Sequence, residues 1–222
     1  MEYLLKDALR AVSIHSGWMI WNLFLAFIPF ALSFWLFRRR TLVRTWLWWF
    51  GFVVFIAFLP NAPYLLTDII HLIRATRAGY SAWIIAVIII PLHVFAIIGG
   101  FEFYVGSLLN QGHYLRRCGA TRYIIPAELA VHALCAVGVY LGRFRRFNSW
   151  DLVTKPDSVI VGILDDLTTK KPLLAIAITF VMITVAYFIM KEITLGLGLR
   201  IQSVREERRN QAKQKASYRL ES

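Results

Sequence analysis

At 222 residues, with 58% apolar side chains including 16 Phe, 8 Trp and 9 Tyr, the chain carries more apolar surface than a soluble fold of this size can bury. Charged residues make up only 17% and gather between long apolar runs, which excludes a soluble globular enzyme and a disordered chain. The net charge of +12 comes from basic residues flanking apolar segments, so anionic lipid is the expected partner and nucleic acid is not.

Residues 1–15 are short and mixed, and suit a helix lying at the membrane interface. Residues 16–37 hold no charge, cover roughly 33 Å as a helix, and end in Arg38, Arg39 and Arg40, which reads as a first span. Further spans are expected at about 41–59, 80–109, 123–141 and 172–190. The second starts at the snorkelling Arg44, and the third contains Pro91 and the Gly99-Gly100 pair.

Two connections are amphipathic. In 62–76, Leu65, Leu66, Ile69, Ile70 and Ile73 share one helical face, while Tyr64, Asp68 and His71 share the other with Arg74 nearby. This segment is too short and too polar to cross, so it reads as an interfacial helix started by Asn61 and Pro63. Residues 157–167 repeat the pattern, with Asp165-Asp166 as a solvated helix end. The fold class is therefore all-α: a polytopic bundle of about five spans plus two interfacial helices. Residues 1–200 form the bundle domain and 201–222 a basic tail.

With five spans the termini lie on opposite sides. The side holding loops 1–2 and 3–4 and the C-terminal segment has the excess of Lys and Arg, so the positive-inside rule places the C terminus in the cytoplasm. Cys118 and Cys135 set no disulfide framework and match no zinc spacing.

The densest polar strings lie in loops 2–3 and 4–5, on the same side. They are Pro60-Asn61-Ala62-Pro63-Tyr64-Leu65-Leu66-Thr67-Asp68-Ile69-Ile70-His71 and Gly142-Arg143-Phe144-Arg145-Arg146-Phe147-Asn148-Ser149-Trp150-Asp151. Together with Trp21-Asn22-Leu23, these strings resemble the bacterial membrane family called domain of unknown function 1361, over nearly the whole chain up to about Arg200. The resemblance implies a membrane fold, with the bacterial inner membrane as its default location, and names no substrate.

Read physically, Arg143, Arg145 and Arg146 beside Asn148 and Asp151 offer guanidinium forks that suit phosphate or carboxylate. Asp68 and His71, three apart on the facing helix, have the spacing of a base and its orienter. The plainer reading is that these arginines meet lipid phosphates while Trp150 marks the interface. The candidate ligand-binding set is Asn61, Tyr64, Asp68, His71, Arg143, Arg145, Arg146, Asn148 and Asp151.

Within the spans, Asn22, His93, Glu102, Glu128 and His132 form a candidate polar cluster, since such groups normally face other helices or a wet cavity. His93 and His132 are a weak haem signal. Glu128 and His132 share a face and with Glu102 suit a proton relay or a metal, but hydrogen bonding between helices is the simpler reading. No cofactor and no metal are expected, and no phosphate-cradling glycine loop, zinc-peptidase motif or nucleophile elbow is present.

The favoured function is binding, or processing, of an anionic lipid or small anion at the interfacial strings. One rival is a structural or assembly subunit whose strings lock two loops together. Another is a small proton-coupled transporter, against which stand the few mid-span charges and the lack of repeats.

Overall fold

A computed structural model describes residues 2–39, 43–146, 154, 157–159, 161–162, 166 and 170–221. Among them the protein is all-helical, without strands, and five helices are long and apolar enough to cross a membrane. These are Ser16–Phe37, Trp46–Thr76, Ala82–Arg117, Thr121–Arg145 and Lys170–Ala212. The all-α polytopic bundle expected from the apolar runs is thus present, and the chain is an integral membrane protein. Its residues form two compact units, Met1–Thr184 and Val185–Ser222.

In the first unit, helix α1 (Glu2–Phe37) packs along α6 (Ile90–Arg117) and against α2 (Trp46–Phe58). The start of α2 is set by Thr45, whose hydroxyl accepts from the Trp48 backbone N–H at 3.3 Å, so residues 43–45 stay outside the helix. The indole of Trp48 then donates to the Leu36 carbonyl at 3.0 Å, tying α2 to the end of α1. That bond satisfies two polar groups away from water, where leaving them unpaired is costly.

Beyond α2 the chain turns at Leu59 and Pro60, then continues as α3 (Asn61–Tyr64), a 3-10 turn (Leu65–Asp68) and α4 (Ile69–Thr76). The turn is pressed against α7 (Ile124–Tyr140): a Cβ on Gly138 would lie 2.7 Å from both Cβ and Cγ of Pro60. Only glycine permits this approach, because the proline ring is rigid. The helical segment expected over 62–76 is present, interrupted by the 3-10 turn, and from Asp68 onward its faces are inverted relative to a soluble protein. Asp68 is only 2% exposed, whereas Ile69, Ile70 and Ile73 lie on the outside. In a membrane that is the favourable arrangement, since lipid accepts the isoleucines and the protein must satisfy the carboxylate. Of residues 157–167, the second expected interfacial helix, 157–159, 161, 162 and 166 are described and are helical; the others lie outside the described residues.

The third span starts with α5 (Ala82–Ile84), capped by the Ser81 hydroxyl, widens into a π-turn (Ile85–Ile89) and continues as α6 to Arg117. Pro91 explains the widening, because its ring clashes with a regular α-helical carbonyl four residues back. A 3-10 turn (Thr121–Tyr123) leads into α7, which ends in a second π-turn (Leu141–Arg145). Arg146 then adopts left-handed backbone with φ of 58°. The last helix, α8 (Lys170–Glu221), belongs to the first unit up to Thr184, and its part in the second unit places Lys191 over the rings of Tyr187 and Phe188.

Candidate functional site

Three chain segments bring polar groups to one end of the first unit. Asn22 on α1 donates to Asp68 Oδ2 at 3.3 Å. Arg143, in the π-turn after α7, uses Nη2 to reach Asp68 Oδ1 at 3.3 Å and the Thr67 hydroxyl at 2.8 Å, and it also bonds the Thr67 carbonyl. The Tyr64 ring lies 5.0 Å from the same guanidinium, adding a cation–π contact. The Asp68 carboxylate is therefore held from two sides by groups distant in sequence, as a buried charge requires. Nε of Arg143 is buried and has no hydrogen-bond partner among the described residues.

His71 stands at the rim, with Nε2 4.0 Å from Asp68 Oδ1. This exceeds hydrogen-bond range, so the two are an ion pair only when the imidazole is protonated, and the base-and-orienter geometry is not made. Trp18, which sequence reasoning missed, packs its ring 4.7 Å from that of His71 and 5.8 Å from that of His93. His93 Nδ1 meets the Ile89 carbonyl at 2.8 Å. The available signal for Trp18 was its spacing, four residues before Asn22 on the same helical face.

The three arginines are not equivalent. Arg145 binds Asp166 through two parallel bonds, Nε to Oδ2 at 2.9 Å and Nη2 to Oδ1 at 2.8 Å. Asp166 is 5% exposed, which corrects its expected role as a solvated helix end. This guanidinium fork on a buried carboxylate commits two of Arg145's donors, Nε and Nη2, to Asp166. Arg143 is engaged end-on by one nitrogen, and Arg146 is exposed. Asn61 turns inward on its own chain, donating to the Phe58 carbonyl at 2.8 Å. Asn148 and Asp151 lie outside the described residues.

Of the intramembrane residues, Asn22 joins this site by its bond to Asp68. His132 Nδ1 meets the Tyr104 hydroxyl at 2.6 Å, a buried contact between α6 and α7. Glu128 is also buried on α7, and Glu102 is partly exposed on α6. Among the described residues no three His, Cys, Asp or Glu side chains converge to hold a metal ion, so Glu102, Glu128 and His132 do not make a three-ligand site.

No curated protein and no solved structure matches the chain. The family model described as "Protein of unknown function (DUF1361)" matches residues 21–185, which contain every contact of this site except those of Trp18. The chain belongs to the DUF1361 family.

Proposed function

We propose that this protein binds an anionic group, a lipid headgroup or a small phosphate- or carboxylate-bearing molecule, through Arg143 and Arg146, with Asn22, Tyr64, Asp68 and His71 forming the wall that orients it. The observation that carries this reading is the contrast between two neighbouring arginines. Arg145 meets its carboxylate with two bonds of 2.8 and 2.9 Å, while Arg143 touches Asp68 with one nitrogen at 3.3 Å and keeps Nε unbonded. A guanidinium that is positioned by Thr67 and Tyr64 yet holds unused donors is suited to an incoming oxyanion. Arg146, exposed beside it, supplies a second positive charge.

The site lies in the bacterial inner membrane on the side away from the cytoplasm, with the C terminus in the cytoplasm. The basis is the excess of Lys and Arg in the loops at the other end and in the C-terminal segment.

A second reading is favoured by the Asn22–Asp68–Arg143 bonds themselves, which join α1, the 61–76 segment and the end of α7. On that reading the polar strings are a structural lock and no ligand is bound. Copurified anion per folded protein separates the two. Arg143→Ala and Arg146→Ala lose it relative to Arg205→Ala and Arg208→Ala if the site binds a ligand, and all four retain it equally if the strings are only a lock.

A further inference from the structure

The opposite end of the same unit carries a second set of arginines with a different electrostatic environment. Asn22 and Arg38 are separated by 16 residues of α1, or roughly 24 Å along its axis. The two sets thus lie close to one hydrocarbon thickness apart. At the far end Arg38 Nε donates to Asn110 Oδ1 at 2.7 Å, and Asn110 is itself fixed by donating to the Ser33 hydroxyl at 2.8 Å. One turn further along α6, Arg44 Nε donates to the Tyr114 hydroxyl at 2.7 Å. The Arg44 guanidinium also lies 5.5 and 5.6 Å from the Trp48 and Tyr114 ring centres.

Asn110 and Tyr114 are i and i+4 on one helix, so their side chains emerge about 5–6 Å apart on the same face. The two guanidiniums are therefore anchored side by side. Among the described residues, the hydrogen bonds that anchor them go to neutral groups, and both side chains are exposed. The sequence contains no Asp or Glu between Asp7 and Asp68, and none between Glu102 and Glu128. Arg116 and Arg117 add to the field, since both act electrostatically on His113 together with Arg38. Whereas Asp68 and Asp166 compensate Arg143 and Arg145, neither segment forming this end offers a carboxylate.

Below the arginines, α2 presents Trp46, Trp49, Phe50 and Val53 outward at helical spacing, with Trp46 79% exposed. A phosphate bridging the arginines would thus be continuous with an apolar strip one helix wide, next to a tryptophan suited to the headgroup level. That continuity selects a phospholipid over a soluble anion.

We propose that Arg38 and Arg44 form a binding site for the phosphate of an anionic phospholipid whose acyl chain lies along the exposed face of α2. Asn110 and Tyr114 are the positioning residues that hold the two guanidiniums in register. The site is independent of the Arg143 site, and its variants leave that site untouched.

The test is native mass spectrometry of the full chain in mixed micelles of phosphatidylglycerol and phosphatidylcholine, read as the ratio of the two lipids retained. The wild type is expected to favour phosphatidylglycerol by about tenfold, the size of a charge-assisted bond. In an Arg143→Ala background, which removes the first site, Arg38→Ala and Arg44→Ala are each expected to bring the ratio close to that of free exchange, while Arg205→Ala in the same background keeps the roughly tenfold preference. Tyr114→Phe keeps both charges and the packing, and a partial loss is expected from the unfixed Arg44. An unchanged ratio in Arg38→Ala and Arg44→Ala overturns the proposal. Displacement of the lipid by millimolar inorganic phosphate overturns the assignment to a phospholipid, and failure of phosphate to compete supports it.

Discussion

Arg143 and Asp68 stand 75 positions apart in the chain and meet at 3.3 Å, with the carboxylate almost completely removed from solvent. This contact joins the two polar strings into one site. Each partner depends on the other, because a carboxylate in low dielectric without a counter-charge is costly. Asp68→Asn and Arg143→Gln are each expected to destabilise the protein by about 1–3 kcal/mol. The double variant should lose less than the sum, since neither change then leaves an unmatched charge. Thermal unfolding in a single detergent measures all three, and strict additivity would show that the pair is uncoupled.

Arg145 is expected to behave differently from its neighbours. Arg145→Ala leaves the buried Asp166 without its two-bond partner, so stability should fall by a similar amount. Ligand retained per folded protein should not change. A loss of ligand with no loss of stability would return Arg145 to the binding set.

Close packing at the Pro60 turn supplies a third expectation. Gly138→Ala puts a methyl 2.7 Å from two atoms of a rigid ring, and overpacking of this kind costs about 1–3 kcal/mol. Gly99 has nothing within 4 Å of the corresponding position, so Gly99→Ala should be tolerated. Melting temperatures of the two variants, compared with wild type, check the contrast.

Between α6 and α7, the Tyr104–His132 bond at 2.6 Å is buried in the bundle. Tyr104→Phe removes it with little change of volume. Side-chain hydrogen bonds within membranes average about 0.6 kcal/mol and reach about 1.7. The expected destabilisation falls in that range, measured by unfolding in detergent. A larger loss would show that the tyrosine hydroxyl supports more than this pair.

Much of the fold is legible in the sequence because a bilayer demands long uncharged helices, and the apolar runs state their own length. The meeting of Asp68 with Arg143 is legible in outline, since both strings begin at span ends on one side. Other features depend on tertiary contacts that periodicity does not carry. Asp166 sits in an acidic pair that looks solvated, and only the placement of Arg145 opposite it explains its burial. Trp18 looks like an ordinary interfacial aromatic until His71 and His93 are packed against it. The unequal use of Arg143 and Arg145 follows from successive side chains of a π-turn pointing to different neighbours, a geometry that the string of arginines does not announce.

The most direct test of the binding site uses Arg146. Its left-handed backbone, with φ of 58°, is unfavourable for any side chain with a Cβ, so Arg146→Gly should raise stability by up to about 1 kcal/mol. The same substitution removes a guanidinium from the proposed anion site. Affinity for a soluble short-chain phosphatidylglycerol, measured by calorimetric titration in the Arg38→Ala background, should therefore fall about tenfold while the melting temperature rises. An unchanged affinity in the stabilised variant would contradict the account and leave the polar strings as a lock between helices.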